Sequence, residues 1–253
     1  LTTLLSIENL NVSYFKNPVL HNINLEVFEG ETLGLIGSSG SGKTTIALAI
    51  MGLLPKEAKV KGAIKYLGKN LLSLKEKGIN KIRGSEISII FQEPLSALDP
   101  LFSISKQIEE TITTYSTLSK KGAEKRAEEL LKRVGISETR RDEYPHSFSG
   151  GMAQRIMIAQ AISGNPRLLI ADEPTSSLDT TIQVQILNLL QGLKDELGMS
   201  ILLITHDLGV IAQMADRVCV IYKGEIVESA SCIEIFDNPQ HPYTKALMES
   251  MFK

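Results

Sequence analysis

The sequence predicts an α/β fold with a parallel-sheet core and a helical insert, and three observations carry that prediction. The apolar run 33–36 leads straight into the pattern G-x-x-x-x-G-K-[ST] from Gly37 to Thr44, and an apolar helical start follows it. Strand-like runs at 168–171 and 201–204 flank a helical pattern over 180–197 that Gly198 closes, a β-α-β arrangement that implies a parallel sheet. From about residue 101 to 164 the periodicity is helical, most clearly over 120–134 and 152–162, with no comparable strand run.

The remaining elements follow in order. Partial alternation over 5–14 and 23–28 reads as short half-buried strands, and Glu29-Gly30-Glu31 supplies the turn into the more buried strand 33–36. A helix starting near Thr45 ends where Gly52 and Pro55 stop it. A further strand pair is expected at 62–67 and 87–91, and a terminal hairpin at 218–222 and 225–228 around Lys223-Gly224. The sequence has no internal repeat and no low-complexity tract.

Bulk properties narrow the class. With 253 residues and 43% apolar side chains the chain can bury a substantial core as one large or two intimately packed domains. A net charge of −2 gives no reason to expect a nucleic-acid surface. Cys219 and Cys232 are too few for a disulfide scaffold or a tetrahedral metal site, and Cys219 within an apolar run reads as a buried reduced thiol. No window approaches the roughly 18 apolar residues of a membrane span, and the N-terminus lacks the pattern of a signal peptide.

The chemistry is written at strand ends. Gly37, Ser38, Ser39, Gly40, Ser41 and Gly42 are small enough for the backbone to curl until successive N–H groups point into one concavity. Lys43 is placed to reach β- and γ-phosphates, the Thr44 hydroxyl to hold Mg²⁺, and Thr45 opens the helix behind them, so a nucleoside triphosphate is the expected ligand. The strand 168–171 ends in Asp172 and Glu173; Asp172 would orient the metal through its water shell, and Glu173 would activate the attacking water. Taken alone, the two carboxylates are also what a solvated strand end carries. His206 stands at the end of the next apolar strand, where its ring would hydrogen-bond the γ-phosphate and orient water; a lone histidine is otherwise more often a surface residue.

The order of this loop, Phe91-Gln92-Glu93-Pro94, Phe148-Ser149-Gly150-Gly151-Met152, Ala171-Asp172-Glu173-Pro174, Ser177-Leu178-Asp179 and Thr205-His206-Asp207 resembles that of the ATP-binding cassette ATPases, over essentially the whole chain. The resemblance implies a P-loop NTPase of the ABC type: a parallel-sheet core, an N-terminal antiparallel β portion and an inserted helical subdomain. It implies one domain over 1–253, with a catalytic core at 1–92 and 165–230, a helical signature subdomain at 93–164 and a tail at 231–253. It also implies ATP and Mg²⁺ as ligands. In that family the signature, here Ser149, Gly150 and Gly151, acts in trans on the nucleotide held by a second cassette. Gln92 would sense metal, water and the membrane partner, Asp179 would sit at the interface between cassettes, and Tyr14 would stack on adenine, although it also suits a strand filler. Phe148 and Met152 depart from the commoner leucine and glutamine beside the signature.

The runs 91–100, 144–155 and 238–244 are similar to those of the ATPase subunits of dipeptide, oligopeptide and nickel importers. Such a likeness implies a second, usually different cassette, two transmembrane permease subunits, an extracytoplasmic solute-binding protein, and a place on the cytoplasmic face of the membrane. Peptide is the expected cargo, with nickel or a metal chelate as the alternative. Peptide ATPases of this group commonly continue into a cysteine-containing extension able to hold an iron-sulfur cluster, so the sequence either stops short of one or is that of a shorter member. In the tail, Pro239, Pro242 and Tyr243 are equally suited to pinning a terminal segment. A soluble cassette for DNA repair or translation would need a long coiled coil or a second fused cassette, and a regulatory module without turnover would lack Glu173 or His206.

Overall fold

The computed structural model describes residues 2–15 and 17–249. In chain order the elements begin β1 (Thr3–Tyr14), β2 (Asn17–Phe28), β3 (Thr32–Ile36), α1 (Lys43–Met51), β4 (Ala58–Tyr66), β5 (Lys69–Asn70) and α2 (Glu76–Ile79). They continue β6 (Ile87–Ile90), α3 (Pro94–Ala97), α4 (Ile104–Tyr115), α5 (Lys120–Arg133), α6 (Gly150–Ile162), β7 (Leu168–Asp172) and α7 (Thr180–Leu197). Last come β8 (Ser200–Thr205), α8 (Leu208–Met214), β9 (Arg217–Tyr222), β10 (Glu225–Ser231), α9 (Cys232–Asp237) and α10 (Pro242–Glu249). The chain divides into two compact units, Leu1–Ile79 with Met199–Lys253, and Asn80–Gly198.

The first unit holds two strand systems. In one, β1 lies antiparallel between β2 and β4, and β4 carries the short β5 on its other side. In the other, β3 pairs parallel with β8 and with β9, and β9 pairs antiparallel with β10 through the turn Lys223-Gly224. Every residue of β3 and β8 is buried, which is why both read as continuous apolar runs rather than alternations. Alternation in β1 and β2 is blurred for a different reason. Asn9 and Asn22 adopt left-handed backbone, at φ 48° and 49°, where the ladder shifts register. Each bulge is satisfied by an asparagine side chain: Asn24 accepts from the Asn9 N–H at 2.9 Å, and Asn11 from the Asn22 N–H at 3.0 Å.

In the second unit β6 and β7 form a parallel pair, and α4, α5 and α6 supply the helical stretch expected from periodicity. The buried positions of α5, Ala123, Ala127, Leu130 and Leu131, recur at helical spacing on one face. The expected strand pair at 62–67 and 87–91 is corrected: β4 pairs with β1 and β5, and β6 pairs with β7. Apolar content marks both runs as strands, but the choice of partner is made by long-range packing that a local run does not encode. Cys219 is buried in β9, and burial pushes its thiol pKa up.

Candidate functional site

In the first unit, β3 delivers the chain to a loop that only small residues can form. A Cβ on Gly37 would run into the Ile221 carbonyl and Cγ2 at the end of β9, so the backbone passes too close for any side chain. Gly42, at φ 107°, is the N-cap of α1 and contributes no capping side chain to the first N–H groups of that helix. Lys43 is buried, and its Nζ donates to the carbonyl oxygens of Gly37 at 2.8 Å and Ser38 at 3.1 Å. Ser41 Oγ is buried and makes no hydrogen bond among the described residues. Ser38, Ser39, Gly40 and Thr44 face solvent, with Thr45 half-buried. A helix start without a capping side chain, a lysine held at its mouth and an unsatisfied hydroxyl together fit a bound polyphosphate.

His206 leaves the same edge. Ile36 is paired with Thr205 in the parallel register of β3 and β8, so Gly37 and His206 are the residues that emerge next from adjacent strands. The His206 side chain is exposed, while Asp207 behind it caps α8, its Oδ1 accepting from Gly209 N–H at 2.8 Å and Val210 N–H at 3.2 Å. Tyr14 ends β1, half-buried, paired with Asn17 and Ala58.

The second unit brings the other strand-end residues together. Ile90 is paired with Ala171, so β6 and β7 reach one edge carrying Gln92 from the first and Asp172 and Glu173 from the second. Asp172 is 4% exposed, which fits a carboxylate meant for a cation rather than for water. Glu173 takes φ 50°, a left-handed conformation that costs a non-glycine residue on the order of 1 kcal/mol or more. Its carbonyl accepts from Ser176 N–H at 3.4 Å and Ser176 Oγ at 3.3 Å, contacts that hold the turn.

Ser149, Gly150, Gly151 and Asp179 meet at a separate open cleft of about 500 Å³ in this unit. Two helices start on it. Ser149 is the N-cap of α6 and makes no side-chain capping bond, so its exposed hydroxyl is left to other partners. Asp179 is the N-cap of α7, accepting from Ile182 N–H at 3.0 Å. A Cβ on Gly151 would come within 2.6 Å of Ile182 Cγ2, so the glycine lets these helix starts approach. The departure at Phe148 is accommodated: its ring is buried with the Arg140 guanidinium 4.3 Å from the centroid. Arg155 also lines the cleft, held by Val134 carbonyl at 3.0 Å and Gln185 at 2.9 Å; its site in the first turns after the signature was the available signal.

The family model described as ABC transporter matches residues 20–176, more than half of the chain. The chain belongs to the ABC transporter family. A second model, described as the C-terminal region of oligopeptide/dipeptide transporters, matches 227–253, which places the chain among the ATP-binding subunits of that group. The oligopeptide transport ATP-binding protein OppD of Bacillus subtilis is 47% identical over 99% of this chain and 72% of its own length. The dipeptide transport ATP-binding protein DppD of Lactococcus lactis is 46% identical over 98% of this chain and 73% of its own. Among solved structures, cbiO1 of Clostridium perfringens, part of the ABC transporter complex cbiONQ, superposes with a TM-score of 0.83 at 31% identity, covering 94% of this chain and 92% of that one. The cassette MJ0796, dimeric and bound to ADP and Pi, gives 0.80 at 29% identity, covering 90% and 98%. The fold is therefore that of an ABC ATPase, and the protein is an ATP-binding and ATP-hydrolysing subunit. Among the described residues no helix is long and apolar enough to cross a membrane.

Proposed function

We propose that this subunit hydrolyses ATP to drive uptake of peptides, working as one of two cassettes bound at the cytoplasmic face to two transmembrane permease subunits that receive cargo from an extracytoplasmic solute-binding protein. The observation that carries this reading is the match of the tail 227–253 to the oligopeptide/dipeptide C-terminal region together with a phosphate loop and strand-end carboxylates of the hydrolytic type. Residues 93–164 then form the helical signature subdomain, 1–92 and 165–230 the catalytic core, and 231–253 the tail. A permease would dock beside Gln92 and the helical insert, where Phe91, Leu95, Leu101 and Phe102 are exposed.

The residue roles proposed here rest on the family resemblance, and the strand-end and helix-start positions described above support them. Backbone N–H groups from Gly40 to Thr45 and the Lys43 ammonium hold the β- and γ-phosphates at the start of α1, and Tyr14 stacks on adenine. Thr44, Gln92 and Asp172 would hold Mg²⁺, which when bound neutralises charge on the phosphate oxygens. Glu173 accepts a proton from the attacking water as its oxygen bonds to the γ-phosphorus and the bond to the bridging oxygen breaks, while His206 orients that water. Ser149, Gly150 and Gly151 close on the γ-phosphate held by the other cassette, with Asp179 beside them. Binding of two nucleotides closes the pair, and hydrolysis reopens it.

The test is the reconstituted transporter in vesicles with its solute-binding protein. ATPase stimulation and uptake with short peptides support the proposal; stimulation by nickel or a nickel chelate alone replaces peptide with metal as the cargo.

A further inference from the structure

The tail motif reaches the phosphate loop. The Ser38 N–H donates to the Tyr243 hydroxyl at 2.9 Å, across 205 residues of sequence. The same peptide group is gripped from its other side, because the Gly37 carbonyl accepts from Lys43 Nζ at 2.8 Å. In a trans peptide the C=O and N–H point in opposite directions, so the two contacts fix the plane of the Gly37–Ser38 peptide about its long axis. Lys43 is the residue assigned to the phosphates, and one of its two loop acceptors is thus set by a tyrosine of α10.

Tyr243 is itself held rigidly. Its ring stacks on Tyr222 at the end of β9, with centroids 4.1 Å apart and planes 24° apart. The segment leading into α10 is tied to β10 by Glu228, whose carboxylate accepts from Gln240 N–H at 2.7 Å and His241 N–H at 2.9 Å. The β9–β10 turn adds a second strut, Gly224 N–H donating to the Ser41 carbonyl at 3.1 Å. The exposed arm of the loop is therefore braced by a module formed from the hairpin and the tail.

We propose that Tyr243 is a positioning residue for ATP binding: its hydroxyl orients the Gly37–Ser38 peptide and through it the Lys43 ammonium. This rests on the reading of Gly37–Thr44 as the phosphate site. Tyr243→Phe keeps the ring on Tyr222 and removes only the acceptor, so the nucleotide-free protein keeps its melting temperature. In the assembled transporter the KM for ATP rises about three- to tenfold while kcat stays within about twofold. Tyr243→Ala, which also removes the stacked ring, gives at least the same rise. If Tyr243→Phe matches wild type and only Tyr243→Ala is impaired, the residue serves tail packing alone and the proposal is overturned. A fall in kcat at unchanged KM also overturns it. Lys43→Ala separates the two levels: retained ATP affinity in that variant removes the phosphate-site reading, whereas lost affinity beside a silent Tyr243→Phe removes only the role of the tail.

Discussion

The two helix starts to which the proposed function assigns phosphates are built differently. At α1 the loop is braced by neighbouring backbone, its N-cap Gly42 is in left-handed conformation, and the cation Lys43 is buried within the loop itself. At α6 the N-cap Ser149 is exposed, its hydroxyl caps nothing, and the site opens into a shallow cleft shared with the start of α7. The first carries its own positive charge, which suits it to hold a polyphosphate in the proposed mechanism. The second offers N–H groups and a hydroxyl, enough to complete a site when a phosphate is presented to it but weak by itself. In the proposed mechanism proton transfer belongs to neither helix start but to the turn after β7, where Glu173 is held in strained backbone.

That division predicts unequal losses. The largest effect is expected at Glu173→Gln, which removes the base while keeping the shape: steady-state hydrolysis should fall by a factor on the order of 100 or more with Mg-ATP binding preserved. Turnover within a fewfold of wild type would take Glu173 out of its role. Lys43→Ala should weaken ATP binding about tenfold or more, as loss of a charge-assisted contact does. Equilibrium titration with a fluorescent nucleotide reads it, and an unchanged affinity would erase the contrast between the two helix starts. Ser149→Ala should be milder, lowering hydrolysis about three- to tenfold while sparing nucleotide affinity of the isolated subunit. Because the Ser149 hydroxyl makes no capping bond in α6, thermal unfolding should barely move; a large drop in monomer affinity would contradict action in trans.

Legibility of these features in the sequence follows their range. The phosphate loop is contiguous and its spacing is set by local backbone geometry, so Gly37 to Thr44 could be read directly, as could Gly198, which closes α7 at φ 64°. The carboxylates were legible because β7 is a fully buried run that ends where they begin. Asp207, the cap of α8, carries a local signal of the same kind, an acidic residue before an apolar run. By contrast, the brace from Tyr243 to Ser38 and the approach of Gly151 to Ile182 join elements distant in sequence, and no local pattern announces them. The pairing of β4 with β1 was hidden for the same reason.

The smallest effect concerns the tail that braces the first helix start, and it has a sign. Burial works to raise the Glu228 pKa, but the Thr244 hydroxyl, then the backbone donors at Gln240 and His241 and the nearby His241 ring, outweigh it and hold the carboxyl below its ordinary value. A carboxylate depressed in the folded state contributes stability that is fully present above its unfolded pKa and lost as pH falls through the folded one. The anchoring of α10 should therefore be constant at neutral pH and weaken only in acid, below the usual carboxylate range. Amide exchange at Gln240 and His241, corrected for the intrinsic pH dependence of exchange, should lose protection there in wild type. Glu228→Gln should show reduced protection already at neutral pH, with the acid-dependent step gone. Persistence of that step in the variant would assign it to another group and detach the tail from Glu228.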